Sequence, residues 1–123
     1  MAIHESGENY LEQILMLSHQ KSKVRAVDLC TALGFSRPTV SVMLRHLRDN
    51  GFVCDAEDGG LVLTERGYAI AQRMYERHCL VAQALMALGV SHDTALSDAC
   101  KIEHDLSDET VACLRAHLER LKK

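Results

Sequence analysis

The stretch LGFSRPTV, residues 33–40, carries the signals that end one helix and start the next. Gly34 suits the position just after a helix, where the backbone often turns left-handed. Ser36 suits the N-cap of a following helix, and Pro38 falls in its first turn, where the missing backbone N–H removes no hydrogen bond. A helix, a three-residue turn with glycine and a capped helix form the helix-turn-helix pattern. The spacing therefore predicts a helix-turn-helix around this stretch.

Apolar residues recur at helical spacing on both sides of this turn. They predict an amphipathic first helix over residues 7–18, a second over residues 26–33 and a third over residues 37–50. The inner side of the second helix is expected to consist of Val27, Leu29, Cys30 and Leu33. The third helix is expected to bury a stripe made of Val40, Met43, Leu44 and Leu47. The opposite face of the third helix is then left to polar and charged residues.

Two short apolar runs follow the third helix, at residues 52–55 and 61–63, with an acidic, glycine-rich turn at residues 57–60 between them. This arrangement predicts a β-hairpin. A hairpin placed directly after the third helix is a wing, so the first half is predicted to be a winged helix-turn-helix. The acidic turn suits contact with phosphates less well than a basic turn does.

The second half is predicted to be helical throughout. A long helix begins near Thr64 and meets no breaker until Gly89. Ser91 is expected to cap the next helix, which runs to about His104, and Ser107 is expected to cap the last one. These helices carry more apolar residues than so small a half buries alone, which favours a two-fold dimer.

The fold class is therefore predicted as mainly α. A winged helix-turn-helix domain of the kind that binds DNA is expected over residues 1–66, followed by an all-α helical dimerisation domain over residues 67–123. A symmetric dimer of this kind presents two recognition helices about one DNA turn apart, which matches a palindromic operator.

The net charge of −3 conceals a basic block. Residues 21–50 hold six basic and two acidic residues, a net of +4, whereas the segments before and after this block are acidic. Clustered positive charge of this kind favours contact with the phosphates of double-stranded DNA. The candidate DNA-binding residues are Arg25, Ser36, Arg37, Pro38, Thr39, Ser41, Val42, Arg45 and His46. For Arg45 and Arg48, ordinary surface charge is an equally good interpretation.

Three potential metal ligands lie close together near the end of the chain. Cys100, Glu103 and His104 have the spacing i, i+3 and i+4, which places a thiol, a carboxylate and an imidazole on one face of a helix. His78 lies on the long helix that must fold back against them. Such a mixed donor set suits Fe(II), Mn(II), Co(II) or Zn(II) rather than Ca²⁺ or Mg²⁺. A half-buried packing face is the alternative interpretation of the three residues.

Other classes of protein are less well supported. No run approaches the roughly 18 apolar residues of a membrane span, and the N-terminus lacks the pattern of an export signal, so a soluble, cytoplasmic protein without a membrane partner is expected. The five cysteines are odd in number and irregular in spacing, which favours reduced thiols. An enzyme is not expected, because no substrate-sized glycine-rich loop or separate general base is present. A purely structural zinc site is a further alternative.

Several segments together resemble the diphtheria-toxin-repressor and manganese-transport-regulator family of metal-activated bacterial repressors. They are residues 8–14 (ENYLEQI), 36–41 (SRPTVS), 61–67 (LVLTERG), 77–78 (RH) and 98–107 (DACKIEHDLS). The resemblance runs nearly end to end. It implies a winged-helix DNA-binding domain joined to a helical dimerisation domain, with a divalent metal bound between the two domains as corepressor, in the short two-domain form of the family.

The resemblance also implies a set of metal ligands, namely Glu12, His78, Cys100, Glu103 and His104, with Asn9 as a weaker member. Glu12 is similar to the manganese branch of the family, whereas Cys100 is similar to the iron branch. Ala82 and Leu96 stand where the iron branch has an ancillary Glu and His, so that second site is expected to be absent or altered. Fe(II) and Mn(II) remain the two alternatives for the corepressor, with Co(II), Ni(II) or Zn(II) able to bind in vitro.

The function expected from these features is repression of metal-uptake genes by a homodimer that binds DNA when metal is present. Since Glu12 belongs to the DNA-binding half and the other ligands belong to the dimerisation half, a cation is expected to fix one half against the other. The alternative is a winged-helix regulator with a vestigial metal site that responds to another signal.

Overall fold

A computed structural model describes residues 5–122. Its elements in chain order are the helices α1 (Glu5–Ser18), α2 (Ala26–Leu33) and α3 (Arg37–Asp49), the strands β1 (Val53–Asp55) and β2 (Leu61–Leu63), the helices α4 (Glu65–Ala87) and α5 (His92–Ile102), a 3₁₀ turn (Glu103–Asp105) and α6 (Asp108–Leu121). The chain forms two compact units that divide between Gln72 and Arg73, within α4. The predicted mainly α fold with a winged helix-turn-helix is confirmed, while the exact domain boundary at residues 66 and 67 stays a prediction.

The turn between α2 and α3 forms as the sequence predicts. Gly34 has a left-handed backbone with φ of 74°, and its N–H donates to the carbonyl of Cys30 at 2.9 Å. The hydroxyl of Ser36 accepts a hydrogen bond from the N–H of Thr39 at 3.4 Å, so Ser36 is the N-cap of α3. Pro38 lies in the first turn of α3, where it breaks no helical hydrogen bond.

The core of the first unit is built from the apolar stripes of its three helices and from the start of the wing. Its buried side chains include Leu11, Ile14, Leu29, Val40, Leu44, Leu47 and Phe52. Tyr10 is also buried there, and its ring stacks on Phe35 with 6.1 Å between the ring centroids. Burial raises the pKa of the Tyr10 hydroxyl, and a smaller contribution comes from the charge of Cys30.

The inner side of α2 is narrower than the sequence predicts. Leu29 is fully buried, but Val27 is 47% exposed, and Cys30 and Leu33 are only half-buried. At 100° per residue, Val27 lies about 200° around the helix from Leu29, so both cannot face the core. Met43 of α3 is likewise half-buried rather than buried.

The wing is a two-stranded antiparallel hairpin in which Val53 pairs with Leu63 and Asp55 pairs with Leu61. The N–H of Leu61 donates to the carbonyl of Val24 at 2.7 Å, which fixes the hairpin to the segment before α2. At the start of α4, a Cβ added to Gly67 would lie 2.0 Å from the carbonyl oxygen of Phe52. Only glycine permits this close approach of α4 to the base of the wing.

The second unit has a small apolar core in which Val81, Ala82 and Ala99 are buried. Partly buried side chains that pack against this core are Leu85, Leu96, Leu106 and Leu114. Ser107 is the N-cap of α6, because its hydroxyl accepts a hydrogen bond from the N–H of Thr110 at 3.1 Å.

Two sequence-based expectations for α5 are wrong in detail. Ser91 occupies the N-cap position with an extended backbone, but its hydroxyl makes no capping hydrogen bond. The helix does not run to His104. It ends at Ile102, and the next three residues form a separate 3₁₀ turn.

Candidate metal centre and nucleic-acid interface

His78 lies on the buried face of α4. Val81 and Ala82 follow it at i+3 and i+4, and both pack in the core of the second unit. Because residues at these spacings share one face of a helix, the same periodicity that buries the two apolar side chains also directs His78 inward. Its side chain is 9% exposed.

The carboxylate of Glu103 is the centre of the cluster, and its side chain is fully buried. Its Oε2 lies 3.0 Å from Nδ1 of His78, and its Oε1 lies 3.5 Å from Nε2 of His104. The His104 side chain is itself only 3% exposed. Burial of a carboxylate is unfavourable unless charged or hydrogen-bonding groups surround it. The two imidazoles supply such groups to Glu103.

Cys100 adds a sulfur donor to the cluster. Its Sγ lies 3.7 Å from Nδ1 of His78, and the residue as a whole is exposed. Cys100 belongs to α5, whereas Glu103 and His104 belong to the 3₁₀ turn that follows it. His78 therefore lies against both Cys100 and Glu103, and Glu103 lies against His104, although the three residues singled out by their spacing do not share one continuous helix.

The donor chemistry of this cluster fits a divalent transition metal. Two imidazole nitrogens, a carboxylate and a thiol are the ligand types that bind Mn, Fe, Co or Zn, whereas Ca²⁺ and Mg²⁺ prefer oxygen ligands throughout. The residues of the second unit that would hold the metal are His78, Cys100, Glu103 and His104.

The other two predicted ligands lie in the first unit. Glu12 is buried and Asn9 is half-buried, three residues apart on α1. Their assignment to the metal stays a prediction from the family resemblance.

Arg77 is a buried residue that the sequence analysis assigned no role. Its guanidinium donates to the carbonyl oxygens of Glu103 at 3.3 Å and Leu106 at 2.5 Å, and to Oδ1 of Asp108 at 2.7 Å. An arginine beside a predicted ligand is a weak signal in the sequence, because arginines are common on solvent-exposed helix faces. Only the fold shows that this one is turned inward.

The polar face of α3 is exposed, as the sequence predicts. Its exposed residues are Arg37, Pro38, Thr39, Ser41, Val42, Arg45 and His46, and Ser36 and Arg25 are exposed nearby. The hydroxyls of Ser36 and Thr39 lie 2.9 Å apart and share a hydrogen bond. Arg48 forms a salt bridge to Asp55 of the wing at 3.0 Å, which favours a structural role for Arg48. The DNA contacts themselves stay a prediction.

Lys23 is a further cation of the first unit, beside the wing, that the sequence did not mark as a candidate DNA-binding residue. A Cβ added to Gly60 would lie 3.0 Å from Cγ of Lys23, and one added to Gly59 would lie 3.9 Å from its Nζ. The lysine side chain therefore lies along the glycines of the wing and brings a positive charge to an otherwise acidic turn. The sequence did not predict this contact because Lys23 and the wing are far apart in the chain.

Lys21, in the same segment, is engaged within the protein. Its Nζ lies 2.5 Å from Oδ1 of Asp28, while the N–H of Arg25 donates to Oδ2 of Asp28 at 2.8 Å. The hydrogen bond from Lys21, followed by the one from Arg25, holds the pKa of Asp28 below its ordinary value of 3.8. Asp28 in this way orders the start of α2.

Comparison with known families gives two matches in consecutive order. Residues 2–61 match the family described as "Iron dependent repressor, N-terminal DNA binding domain", and residues 64–123 match "Iron dependent repressor, metal binding and dimerisation domain".

Characterised relatives cover most of the chain. The transcriptional regulator MntR of Escherichia coli is 36% identical over 113 residues, which cover 92% of this chain and 73% of that protein. The HTH-type transcriptional regulator MntR of Bacillus subtilis is 36% identical over 102 residues, which cover 83% of this chain and 72% of that protein.

Solved structures share the fold. The manganese regulator SloR superposes with a TM-score of 0.81 at 29% identity, covering 97% of this chain and 55% of that one. A manganese-dependent transcriptional repressor in complex with manganese superposes with a TM-score of 0.85 at 30% identity, covering 92% of this chain and 52% of that one. This chain thus spans about half the length of the solved chains it matches. Together the matches confirm the resemblance seen in the sequence, and this chain belongs to the iron-dependent repressor family, which includes the MntR regulators.

Proposed function

We propose that this chain is a transcriptional repressor that binds double-stranded DNA as a homodimer when Mn(II) or Fe(II) is bound. The observation that carries the proposal is the cluster around Glu103, in which a fully buried carboxylate faces His78 and His104 at hydrogen-bonding or near hydrogen-bonding distances. This cluster lies in the part of the chain that matches a metal-binding and dimerisation domain, and the same chain carries a helix-turn-helix. The repressor acts in the cytoplasm, where DNA is accessible.

A bound divalent cation would supply the positive charge that a buried carboxylate and a thiolate require. Glu103 contributes a hard oxygen donor and Cys100 a soft sulfur donor, and the imidazole of His78 lies against both of them. The burial of Glu103 limits competition from water for its oxygens. We retain Glu12 and Asn9 as further ligands on the strength of the family resemblance.

The DNA-binding surface is the exposed face of α3 and its surroundings. Arg37 and Arg45 place guanidinium groups on that face, and neither has a carboxylate within salt-bridge distance among residues 5–122. Thr39, Ser41 and Val42 offer hydroxyl and methyl groups suited to base edges, whereas the arginines suit phosphates and guanines. Arg25 lies beside this surface at the start of α2.

The dimer is supported by apolar side chains that the second unit leaves exposed. Leu88 is 82% exposed and Leu121 is 57% exposed, and Met86 and Ile102 are exposed to a smaller degree. Burial of such side chains against a second copy is favourable, at about 25 cal/mol per Å² of apolar surface. Two-fold symmetry would then repeat the recognition helix, which matches a palindromic operator. Among residues 5–122, none of the helices combines the length and the apolar character needed to cross a membrane.

The test is a DNA-binding titration with and without metal. A duplex is first selected from a random-sequence pool in the presence of Mn(II), and its affinity is then measured by fluorescence anisotropy in chelator, Mn(II), Fe(II), Co(II) and Zn(II). Metal is expected to tighten binding by about 5–150-fold, the usual range of a coupling free energy of 1–3 kcal/mol.

Two variants make this test specific. Glu103→Gln removes the charge of the central carboxylate and should abolish the effect of metal, whereas Glu109→Gln removes an exposed carboxylate at the start of α6 and should leave the effect intact. Equal affinity in chelator and in every metal would refute the proposal and favour a winged-helix regulator that responds to another signal.

A further inference from the structure

The guanidinium of Arg77 is anchored at two points in the segment that joins α5 to α6 and at a third on the first residue of α6. Its Nη1 donates to the carbonyl oxygens of Glu103 and Leu106, and its Nη2 donates to the carboxylate of Asp108. The Arg77 side chain is 5% exposed, although the Asp108 side chain that pairs with it is 85% exposed. Three acceptors from three different residues therefore converge on one buried cation.

The carbonyl of Glu103 lies where α5 gives way to the 3₁₀ turn, the carbonyl of Leu106 follows that turn, and Asp108 begins α6. Carbonyl groups at the C-terminal end of a helix lack partners within the helix and need donors from elsewhere. A cation near that end also interacts favourably with the helix dipole. Arg77 of α4 meets both needs at the Glu103 carbonyl, and it donates a second hydrogen bond to the carbonyl of Leu106 beyond the turn. It thereby holds the short turn that carries Glu103 and His104.

Two neighbouring residues of α4 contact Glu103, one at its carboxylate and one at its backbone carbonyl. His78 lies 3.0 Å from the Glu103 carboxylate, and Arg77, its neighbour in the sequence, donates to the Glu103 backbone carbonyl at 3.3 Å. Two residues of α4 thus hold the backbone and the carboxylate of Glu103 in place. A planar guanidinium can reach several acceptors at once, which the single ammonium group of lysine cannot do in the same geometry.

We propose that Arg77 is a positioning residue for the metal centre, which sets the spacing of the donor atoms of Glu103 and His104 by fixing the turn that carries them. This inference rests on the proposed function, since it assumes that the cluster binds a divalent cation. Arg77 itself carries no ligand atom, because its guanidinium is protonated and has no lone pair to offer.

Arg73, one helical turn earlier on α4, is a matched control. Its Nη2 also pairs with Oδ1 of Asp108, at 3.0 Å, but its side chain is 58% exposed. No hydrogen bond joins Arg73 to the carbonyls of Glu103 or Leu106 among the contacts of residues 5–122. Loss of Arg73 therefore removes an ion pair to Asp108 without releasing the turn.

The experiment measures Co(II) binding to the full chain, because the visible absorption of Co(II) reports the number and geometry of its ligands. The variants are Arg77→Lys, Arg77→Met, Arg73→Met and Asp108→Asn, each compared with the unsubstituted chain. Urea unfolding of each metal-free variant is recorded in parallel. Arg77→Met is expected to weaken Co(II) binding by about 10–100-fold, the usual effect of losing a residue that orients metal ligands. Its Co(II) spectrum should change in shape.

The other variants show which contacts of Arg77 matter for Co(II) binding. Arg77→Lys keeps one charge-assisted contact and should recover part of the affinity, whereas Arg73→Met should match the unsubstituted chain in both affinity and spectrum. Asp108→Asn leaves both carbonyl contacts of Arg77 in place and should preserve the spectrum.

Two results would overturn the inference alone. One is an unchanged affinity and spectrum in both Arg77 variants. The other is a loss of affinity that follows only the unfolded fraction, with the spectrum of the bound form unchanged, since that result shows a merely structural role. Failure of the unsubstituted chain to bind Co(II) would instead overturn the proposed function and this inference with it.

Discussion

The polar side chains of α3 lie exposed in solvent, whereas those of His78, Glu103 and His104 in the second unit are buried. An exposed side chain is free to meet a large partner such as DNA, and it contributes little to folding. A buried polar group must instead be satisfied inside the protein, so its geometry is determined by the fold. The surface that we propose for DNA should therefore tolerate substitution without loss of stability, while the metal centre depends on the packing around it.

The largest effect on stability is expected at Leu44, and its exposed neighbour Arg45 provides the contrast. Leu44 is 1% exposed, and Leu44→Ala should lower the free energy of unfolding by about 2–5 kcal/mol because it leaves a cavity in the core. Arg45 is exposed, and Arg45→Ala should change that free energy by no more than about 0.5 kcal/mol while weakening DNA binding. Urea unfolding and anisotropy titration measure the two effects. A strongly destabilised Arg45→Ala would break the comparison.

A second substitution tests the donor chemistry of the metal centre. Cys100→Glu replaces a soft sulfur with hard oxygens at an exposed position, so it should favour Mn(II) over Zn(II) by about tenfold, or ~1.4 kcal/mol, relative to the unsubstituted chain. The matched control is Cys113→Ser, which alters an exposed thiol on α6 outside the cluster. Competition between the two metals for each protein gives the ratio. An unchanged ratio would mean that Cys100 is not a ligand.

A third substitution tests whether Lys23, which lies beside the wing, contacts a DNA phosphate. Each phosphate contact contributes about 0.9 to the slope of log affinity against log salt concentration, so Lys23→Gln should reduce that slope by roughly 0.9. Lys122→Gln, at the end of α6, should leave the slope unchanged. The measurement is an anisotropy titration at several salt concentrations. If the two variants have the same slope, Lys23 makes no phosphate contact.

The smallest effect is expected at Asp28, whose pKa is lowered by its hydrogen bonds to Lys21 and Arg25. A carboxyl group with a lowered folded-state pKa stabilises the fold above its unfolded pKa, and this contribution disappears as the pH falls through the folded value. Urea midpoints of the unsubstituted chain and of Asp28→Asn should therefore differ at pH 7 and converge in strong acid. A difference that grows towards low pH would contradict the lowered pKa.

The sequence predicted the parts of this molecule that depend on local signals. Apolar periodicity, the Gly34 turn and the Ser36 cap are all contained within short segments, so the helix-turn-helix, the hairpin and the mainly α fold were predicted correctly. The spacing of Cys100, Glu103 and His104 also singled out residues that are in contact directly or through His78, since His78 lies against Cys100 and Glu103, and Glu103 lies against His104. Their roles as ligands, like the contacts of α3 with DNA, stay predictions.

The features that were not predicted depend on contacts between distant segments. The end of α5 at Ile102 coincides with a hydrogen bond from Arg77 of α4 to the carbonyl of Glu103, and no pattern within α5 predicts that contact. Lys23 reaches the wing for a similar reason, since its position becomes informative only when the hairpin folds against the segment before α2. The exposure of Val27 was missed because a short helix has room for few inward positions.

The two strands of the wing are held to the rest of the first unit at both of their ends. Arg48 of α3 pairs with Asp55, the N–H of Leu61 donates to Val24, and the N–H of Thr64 donates to Phe52. Residues 57–59 at the tip are exposed and lie outside these contacts. Tip length and charge can therefore be changed, for example by grafting, without disturbing the helices that carry the side chains proposed to contact DNA. The wing tip and the exposed face that we propose for DNA can in this way change independently of each other.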